Sequence, residues 1–456
     1  MSEHFDTVVL GGGLSGLVAG LLAQRKYPNG RTLVIEASGR LGGVMAGSRA
    51  VGECFDLGTH IPQETGIGVV DELFERALDQ NSLQRMSSEV GDRAGTLVDQ
   101  RLFVDTSYFD LLCINSEIAK RVLAHVVGKP DTDRPDPHTP IRLRPAEEVA
   151  RDWFGDEATN TMILPILRNW FGDTSLLSGF ALELVNLTRL RVVDELTWLS
   201  HASSSSFRQR VAFPHQLRLP AEFKHNRKSI YPKCGSSISF VEGFERLCAE
   251  REVELSIKSR VRWIDLASRR LKLERRDEKL EIGFHRLIST LGPLHTLPLV
   301  VEGVSPMIER CVSKIIHHIA ERPTKSELCY IYAYSERSPV FRVTNYQAFS
   351  GRTGDCRFTS ELLAPETISD EFAIAEAERA LQSSGFVELG GRVQSFTEPL
   401  AGGFPSPKIS TFEQFQMATA QLAPLESDDF IVTGIGAQGT AFFQSEILRH
   451  LSSRLT

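Results

Sequence analysis

The stretch Thr7-Val8-Val9-Leu10-Gly11-Gly12-Gly13-Leu14-Ser15-Gly16 decides the fold, together with Thr32-Leu33-Val34-Ile35-Glu36 beyond it. It reads as an apolar strand, a G-x-G-x-x-G turn, a helix start at Leu14-Ser15, and a second strand ending in an acid. Gly11 permits the tight turn, Gly13 lets a pyrophosphate approach the backbone, and Gly16 lets helix and strand pack closely. The helix N-terminus offers N–H groups and the positive end of a dipole to phosphates. Glu36 lies twenty residues past Gly16, where a βαβ unit places the acid that takes ribose hydroxyls and disfavours a 2′-phosphate. A G-x-G-x-x-G alone occurs by chance in loops. Strand, turn, helix and acid in this order predict an adenine dinucleotide site.

The residues after Glu36 separate the possible dinucleotides. The chain continues Ala37-Ser38-Gly39-Arg40-Leu41-Gly42-Gly43, placing a cation and a second glycine turn just after the ribose-binding strand. This E-A-x-x-R-x-G-G string resembles the extended FAD signature of the flavin amine oxidase, protoporphyrinogen oxidase and UDP-galactopyranose mutase superfamily. The resemblance implies FAD as cofactor. It also implies an α/β fold, an FAD-binding Rossmann-like domain of the two-dinucleotide-binding-domain type with an inserted α+β substrate domain. Amine oxidases usually carry another arginine after the paired glycines. Val44 stands there instead, a departure that leans away from a typical amine oxidase.

Composition bounds the remaining classes. The 456 residues suffice for two or three domains and a large core. A formal net charge of −7 without a block of like charges gives no nucleic-acid-binding surface. Seven cysteines are dispersed with no C-x-x-C and no metal-ligand spacing, which fits a reducing compartment and no metal. The N-terminus runs straight into the first strand without a signal peptide, and no eighteen-residue apolar run appears. A soluble, cytoplasmic protein is expected, acting on a small molecule, with its oligomeric state open.

Further elements of the same superfamily appear in order. Asp56-Leu57-Gly58-Thr59-His60-Ile61 resembles the segment that passes the flavin ring, with Gly58 admitting a close backbone approach. Gly58, Thr59 and His60 are candidate cofactor contacts. His60 is also a candidate catalytic group, its bland alternative being a loop histidine satisfied by backbone. Helical spacing over Val69–Leu78 and a hairpin at Gly95–Val98 and Leu102–Val104 come next. A Pro- and Asp-rich connector over 128–145 precedes the helical pattern from Ala146, where Val149, Trp153 and Phe154 form an apolar stripe. Arg168, Arg189 and Arg191 are either anion contacts or surface ion pairs. Residues 202–229 carry Arg208, Arg210, Arg218, Lys224, Arg227 and Lys228 with phenylalanines between, a counter-charge for any anionic substrate. Ser229–Gly235 resembles the superfamily's Y-P-x-G-G element, with Cys234 at the first glycine position.

Period-two alternation from Val253 to Thr290 reads as an antiparallel meander, in which Val261 is a further candidate cofactor contact. Ile288-Ser289-Thr290-Leu291-Gly292-Pro293 resembles the return to the FAD sheet. Residues 324–405 read as strand-rich with one helix, Ile374–Gln382. Arg342-Val343-Thr344-Asn345-Tyr346 is similar to an Arg and aromatic pair that faces substrate, so Arg342 and Tyr346 join His60 as candidate catalytic residues. Phe430–Thr440 resembles the C-terminal FAD element, giving Gly434, Gln438, Gly439 and Thr440 as cofactor contacts, with Ile435 replacing its usual polar residue. A dinucleotide fingerprint is read only at the N-terminus, and NAD(P)H is expected to lack a domain of its own.

The expected organisation is therefore residues 1–80, 226–300 and 406–456 for FAD, with 81–225 (mostly helical) and 301–405 (strand-rich) for substrate. Three functions fit: an oxidoreductase passing hydride from a small organic substrate to flavin N5, a flavin-dependent nucleotide-sugar mutase, and a non-enzymatic escort on the same fold. The mutase needs positive charge for a diphosphate, from Arg168, Arg189, Arg208 or Arg342. The intact glycine, Glu36 and Arg40 set argues against the escort.

Overall fold

Val8, Val9 and Leu10 put apolar side chains on both faces of one strand, so both faces must be covered, as in a parallel sheet flanked by helices. That is what the computed structural model of the chain contains. It describes residues 3–79, 82–86, 93–128, 141–224, 228–233, 235–276, 278–305, 308–398 and 405–455. Most of the expected connector at 128–145, and Arg227 and Cys234, lie outside the described residues. The chain divides into two units, one of Met1–Arg85, Arg227–Met307 and Phe412–Thr456, the other of Met86–Asn226 and Ile308–Thr411.

The first unit is built on a seven-stranded sheet. Val253–Ser256, Thr32–Ile35, Glu3–Leu10, Glu278–Ser289 and Phe430–Val432 run parallel in that spatial order. Arg270–Arg275 and Ser259–Asp265 extend it antiparallel from the first half of Glu278–Ser289. The meander thus begins at Ser259. Val253–Ser256 instead pairs parallel with Thr32–Ile35. The first helix, Leu14–Lys26, is apolar almost all round and buried from Leu14 through Gln24 except at Ser15, as expected of a helix enclosed on every side. Its Leu17 and Leu21 share a core with Val9, Val34, Phe240, Phe244 and Leu451.

The second unit holds another seven-stranded sheet, ordered Val393–Glu398, Val312–Ala320, Arg357–Ala364, Val340–Asn345, Tyr330–Tyr334, Ala94–Val98 and Arg101–Phe103. Neighbours are antiparallel except Tyr330–Tyr334 with Ala94–Val98. The last two strands are the expected hairpin. Their turn residues Asp99 and Gln100 both have positive φ, 43° and 70°, the twist a two-residue hairpin requires. Helix Asp370–Ser383 covers one sheet face with Ala373, Ala377 and Leu381 against Ile316, Val343 and Leu362. Around Trp170, Phe154 and Val149 a separate helical core forms, so these residues serve packing.

Candidate functional site

The glycine turn is shaped by contacts no side chain would allow. A Cβ on Gly16 would lie 1.8 Å from the Gly11 carbonyl oxygen, closing the gap between helix and strand. At Gly13 the opposite holds: a Cβ there would meet only the Cα of Gly43, at 3.9 Å. The space at Gly13 is kept for something other than protein. Gly13 is also the N-cap of the first helix, makes no side-chain capping bond and is followed by no acid in the first turn. The N–H groups there are suited to a phosphate.

Glu36 turns back on this turn. Its carboxylate accepts from Gly12 N at 2.8 Å and from Ser38 N at 2.6 Å, which fixes it beside the glycines with lone pairs left for ribose hydroxyls. Ala37 is exposed, and Arg40 donates to the Gly47 carbonyl at 3.1 Å, bracing the loop that carries Gly42 and Gly43. Gly13 and Gly42 form a bridge between the two glycine turns. The strand of Val261 joins the same corner by its start: Lys258 N donates to Ser38 O and Ser259 N to Glu36 O. Val261 itself is half-buried and pairs with Leu273.

The C-terminal turn meets the N-terminal one through Thr290. The Thr290 hydroxyl donates to Leu10 O at 2.8 Å, and a Cβ on Gly11 would lie 2.7 Å from it. A Cβ on Gly434 would lie 2.5 Å from the Thr290 carbonyl oxygen. Thr290 was not among the expected site residues; its signal was only the strand-then-proline pattern around it. Gly434-x-Gly436-x-x-Gly439 repeats the fingerprint spacing without its strand-turn-helix context. The turn Ala437–Gly439 intervenes, with Gln438 at a positive φ, and the helix begins only at Gln444. Thr440 is half-buried.

Asp56 and Tyr231 are a second contact that local spacing did not reveal. The Tyr231 hydroxyl donates to Asp56 at 2.5 Å and Ser237 N donates to it at 2.7 Å. Burial pushes the Asp56 carboxyl up, opposed by Tyr231, Ser237 and the nearby His60. Gly58 takes φ 104°, and Thr59 and His60 are half-buried. His60 Nε2 lies 2.9 Å from the Leu57 carbonyl oxygen. A carbonyl only accepts, so Nε2 carries the hydrogen of that bond.

Arg342 and Tyr346 belong to the second unit. Arg342 makes a two-point pair with Glu361, with Nε at 2.6 Å and an Nη at 2.8 Å. Burial works against its charge, but Glu361 and Tyr332 outweigh that and hold it ionised. Tyr346 is fully enclosed, its hydroxyl 2.9 Å from Thr359 Oγ1. Arg191 pairs with the buried Asp110. Arg208 donates to the Ala202 carbonyl and lies over Phe223. A cleft in this unit, lined by Asp99, Gln100, Arg337, Glu376 and Arg379 among others, includes none of the expected site residues. Among the described residues no cluster is suited to a metal ion, and no helix is long and apolar enough to cross a membrane.

This fold, with an open glycine turn, an uncapped helix and an acid on the next strand, defines a dinucleotide-binding protein of the Rossmann type. Residues 6–135 match the family model of the FAD dependent oxidoreductases. FAD is accordingly the cofactor. Three solved structures share the fold. Reduced UDP-galactopyranose mutase is 14% identical, with a TM-score of 0.74 over 99% of this chain and 94% of its own. A candidate protoporphyrinogen oxidase from Exiguobacterium sp. 255-15 is 16% identical, with a TM-score of 0.65 over 100% and 98%. The CLA-producing fatty acid isomerase from P. acnes is 13% identical, with a TM-score of 0.58 over 98% and 97%. No curated protein matches the sequence.

Proposed function

We propose that the chain is an FAD-dependent oxidoreductase acting on a small, uncharged organic substrate. The observation that carries this reading is the Arg342–Glu361 pair. A guanidinium held at two points by a carboxylate is already neutralised, so Arg342 offers no uncompensated charge to an anionic substrate. FAD, when bound, supplies a hydride acceptor at N5. Gly13 and the first turn of the helix Leu14–Lys26 hold the diphosphate, and Glu36 takes the adenosine ribose. Around Arg342 the second-unit sheet presents Tyr330 and Tyr332, each half-buried, with Tyr330 stacked on Phe349 at 6.1 Å. These rings give an amphipathic surface for a neutral substrate. His60 is proposed as the group beside the flavin that bonds substrate or tunes the ring, and Tyr346 as a support for the sheet face through Thr359.

The mutase is a second reading, favoured by its TM-score of 0.74. It rests on fold, which hosts many chemistries. Of its four candidate diphosphate contacts, Arg342 is paired with Glu361 and Arg208 is engaged by Ala202 and Phe223. Arg168 and Arg189 remain, and Arg189 lies over the Tyr108 ring.

An absorbance spectrum of the purified protein, before and after dithionite, tests the cofactor. Substrate trials under air and under nitrogen then separate the reactions. Flavin bleached by a neutral substrate without air, and restored by oxygen or a quinone, establishes the oxidoreductase. Turnover of a nucleotide sugar only after reduction overturns it in favour of the mutase.

A further inference from the structure

Four separated stretches of the first unit are tied together by one carboxylate. Asp56 is 1% exposed and receives the Tyr231 hydroxyl on one oxygen and the Ser237 amide on the other. Ser237 in turn donates its hydroxyl to the Met45 carbonyl at 3.1 Å. Met45 lies in the turn Gly43–Ala46, which comes directly after the glycines that approach Gly13. The knot therefore joins 43–46, 56–60, Tyr231 and Ser237. It lies on the continuation of the phosphate turn.

A buried carboxylate is costly unless its hydrogen bonds are complete. Here it takes an O–H and an N–H, and Ser237 immediately precedes the N-terminus of the thirteen-residue helix Ile238–Glu250, where a negative charge is favoured. So elaborate a cluster implies a segment whose position matters. That segment is Leu57–His60, with Gly58 in the left-handed region and Thr59 and His60 partly open.

We propose that Asp56 is a positioning residue for the flavin half of FAD: its bond to Tyr231 sets the Leu57–His60 backbone against which that half of the cofactor lies. The proposal rests on FAD being bound as described above. It separates the two ends of the cofactor, since the adenosine ribose is assigned to Glu36, whose carboxylate is held by the Gly12 and Ser38 amides rather than by the knot.

The test uses the full chain and its Asp56→Asn and Tyr231→Phe variants, singly and combined. Dissociation constants for FAD and for ADP-ribose are measured on the apoprotein, with urea unfolding of the apoprotein as a control for the fold. Each single variant is expected to weaken FAD about tenfold and leave ADP-ribose within about twofold. The double variant should be no worse than the weaker single one, because the two residues act through one bond. Tyr231→Phe keeps the carboxylate and its bond to Ser237, and serves if Asp56→Asn does not fold. Equal weakening of FAD and ADP-ribose, or FAD binding unchanged in Tyr231→Phe, overturns the proposal. A wild-type chain that takes up no FAD overturns the cofactor reading itself, and this proposal with it.

Discussion

Arg342 and Glu361 stand opposite each other on adjacent strands and share two hydrogen bonds, of 2.6 and 2.8 Å. Glu361→Gln keeps the shape and removes the counter-charge, leaving a guanidinium in a largely enclosed place. It is expected to cost about 3 kcal/mol of unfolding free energy, the range seen when one partner of a buried pair is removed. Replacing both, as Arg342→Met with Glu361→Leu, should cost much less. Urea unfolding of the three proteins checks this, and a loss under about 1 kcal/mol for Glu361→Gln would mark the pair as solvent-screened.

Gly13 and Gly16 are expected to fail differently. Gly13→Ala has room within the protein, so it should fold with wild-type stability and lose FAD affinity at least tenfold. Gly16→Ala places a methyl against the Gly11 carbonyl, so it should lose stability as well as FAD. Flavin content after refolding, set beside thermal unfolding, distinguishes the two. Full flavin occupancy in Gly13→Ala would contradict the phosphate site.

His317 and His318 lie on opposite faces of Val312–Ala320 and are enclosed. His317 Nδ1 is 3.0 Å from Thr359 Oγ1, and His318 sits between Ser395 and Ser360. Burial pushes their pKa values down to about 4 and about 3. The folded state therefore favours the neutral rings, whereas in the unfolded chain they take protons near pH 6.5. Stability should be complete above that pH and fall as the pH drops toward 4 and 3, by up to about 1.4 kcal/mol per pH unit for each histidine. His318→Gln should remove one proton's share of the slope between pH 6 and pH 4.5. An unchanged slope would place the acid sensitivity elsewhere.

Nicotinamide cofactors should not reduce the flavin through a site of their own. The strand before the second glycine series, Phe430–Val432, belongs to the same sheet as the first, and no helix starts directly after those glycines. Stopped-flow mixing with NADH and NADPH under nitrogen is expected to give slow, non-saturating bleaching. Saturable, rapid bleaching would require a nicotinamide site.

Sequence alone is informative where a backbone conformation makes local demands. The turn at Gly11–Gly16 and the hairpin at 95–104 leave a signature because few residue types satisfy them. Partner choice over long separations leaves none. Tyr231 lies 175 residues from Asp56, and both segments were legible as motifs while their contact was not. Val253–Ser256 alternates like its neighbours, so period alone assigned it to the meander; only the parallel register with Thr32–Ile35 distinguishes it. Arg342 was visible as an arginine on a strand, but Glu361 was not visible as its partner. Cross-strand register there is shifted by an irregularity between Val340 and Arg342.

The strand Glu278–Ser289 has a consequence for biosynthesis. Its final residues, Leu287, Ile288 and Ser289, are flanked on one side by Glu3–Leu10 and on the other by Phe430–Val432. During translation the second flank arrives more than a hundred codons after the strand it must join. At ~10 residues per second the growing chain carries that apolar edge bare for over ten seconds, and an unpaired edge invites pairing with another chain. Ribosome stalling or a premature stop before residue 430 should therefore yield aggregates rather than a shortened folded chain.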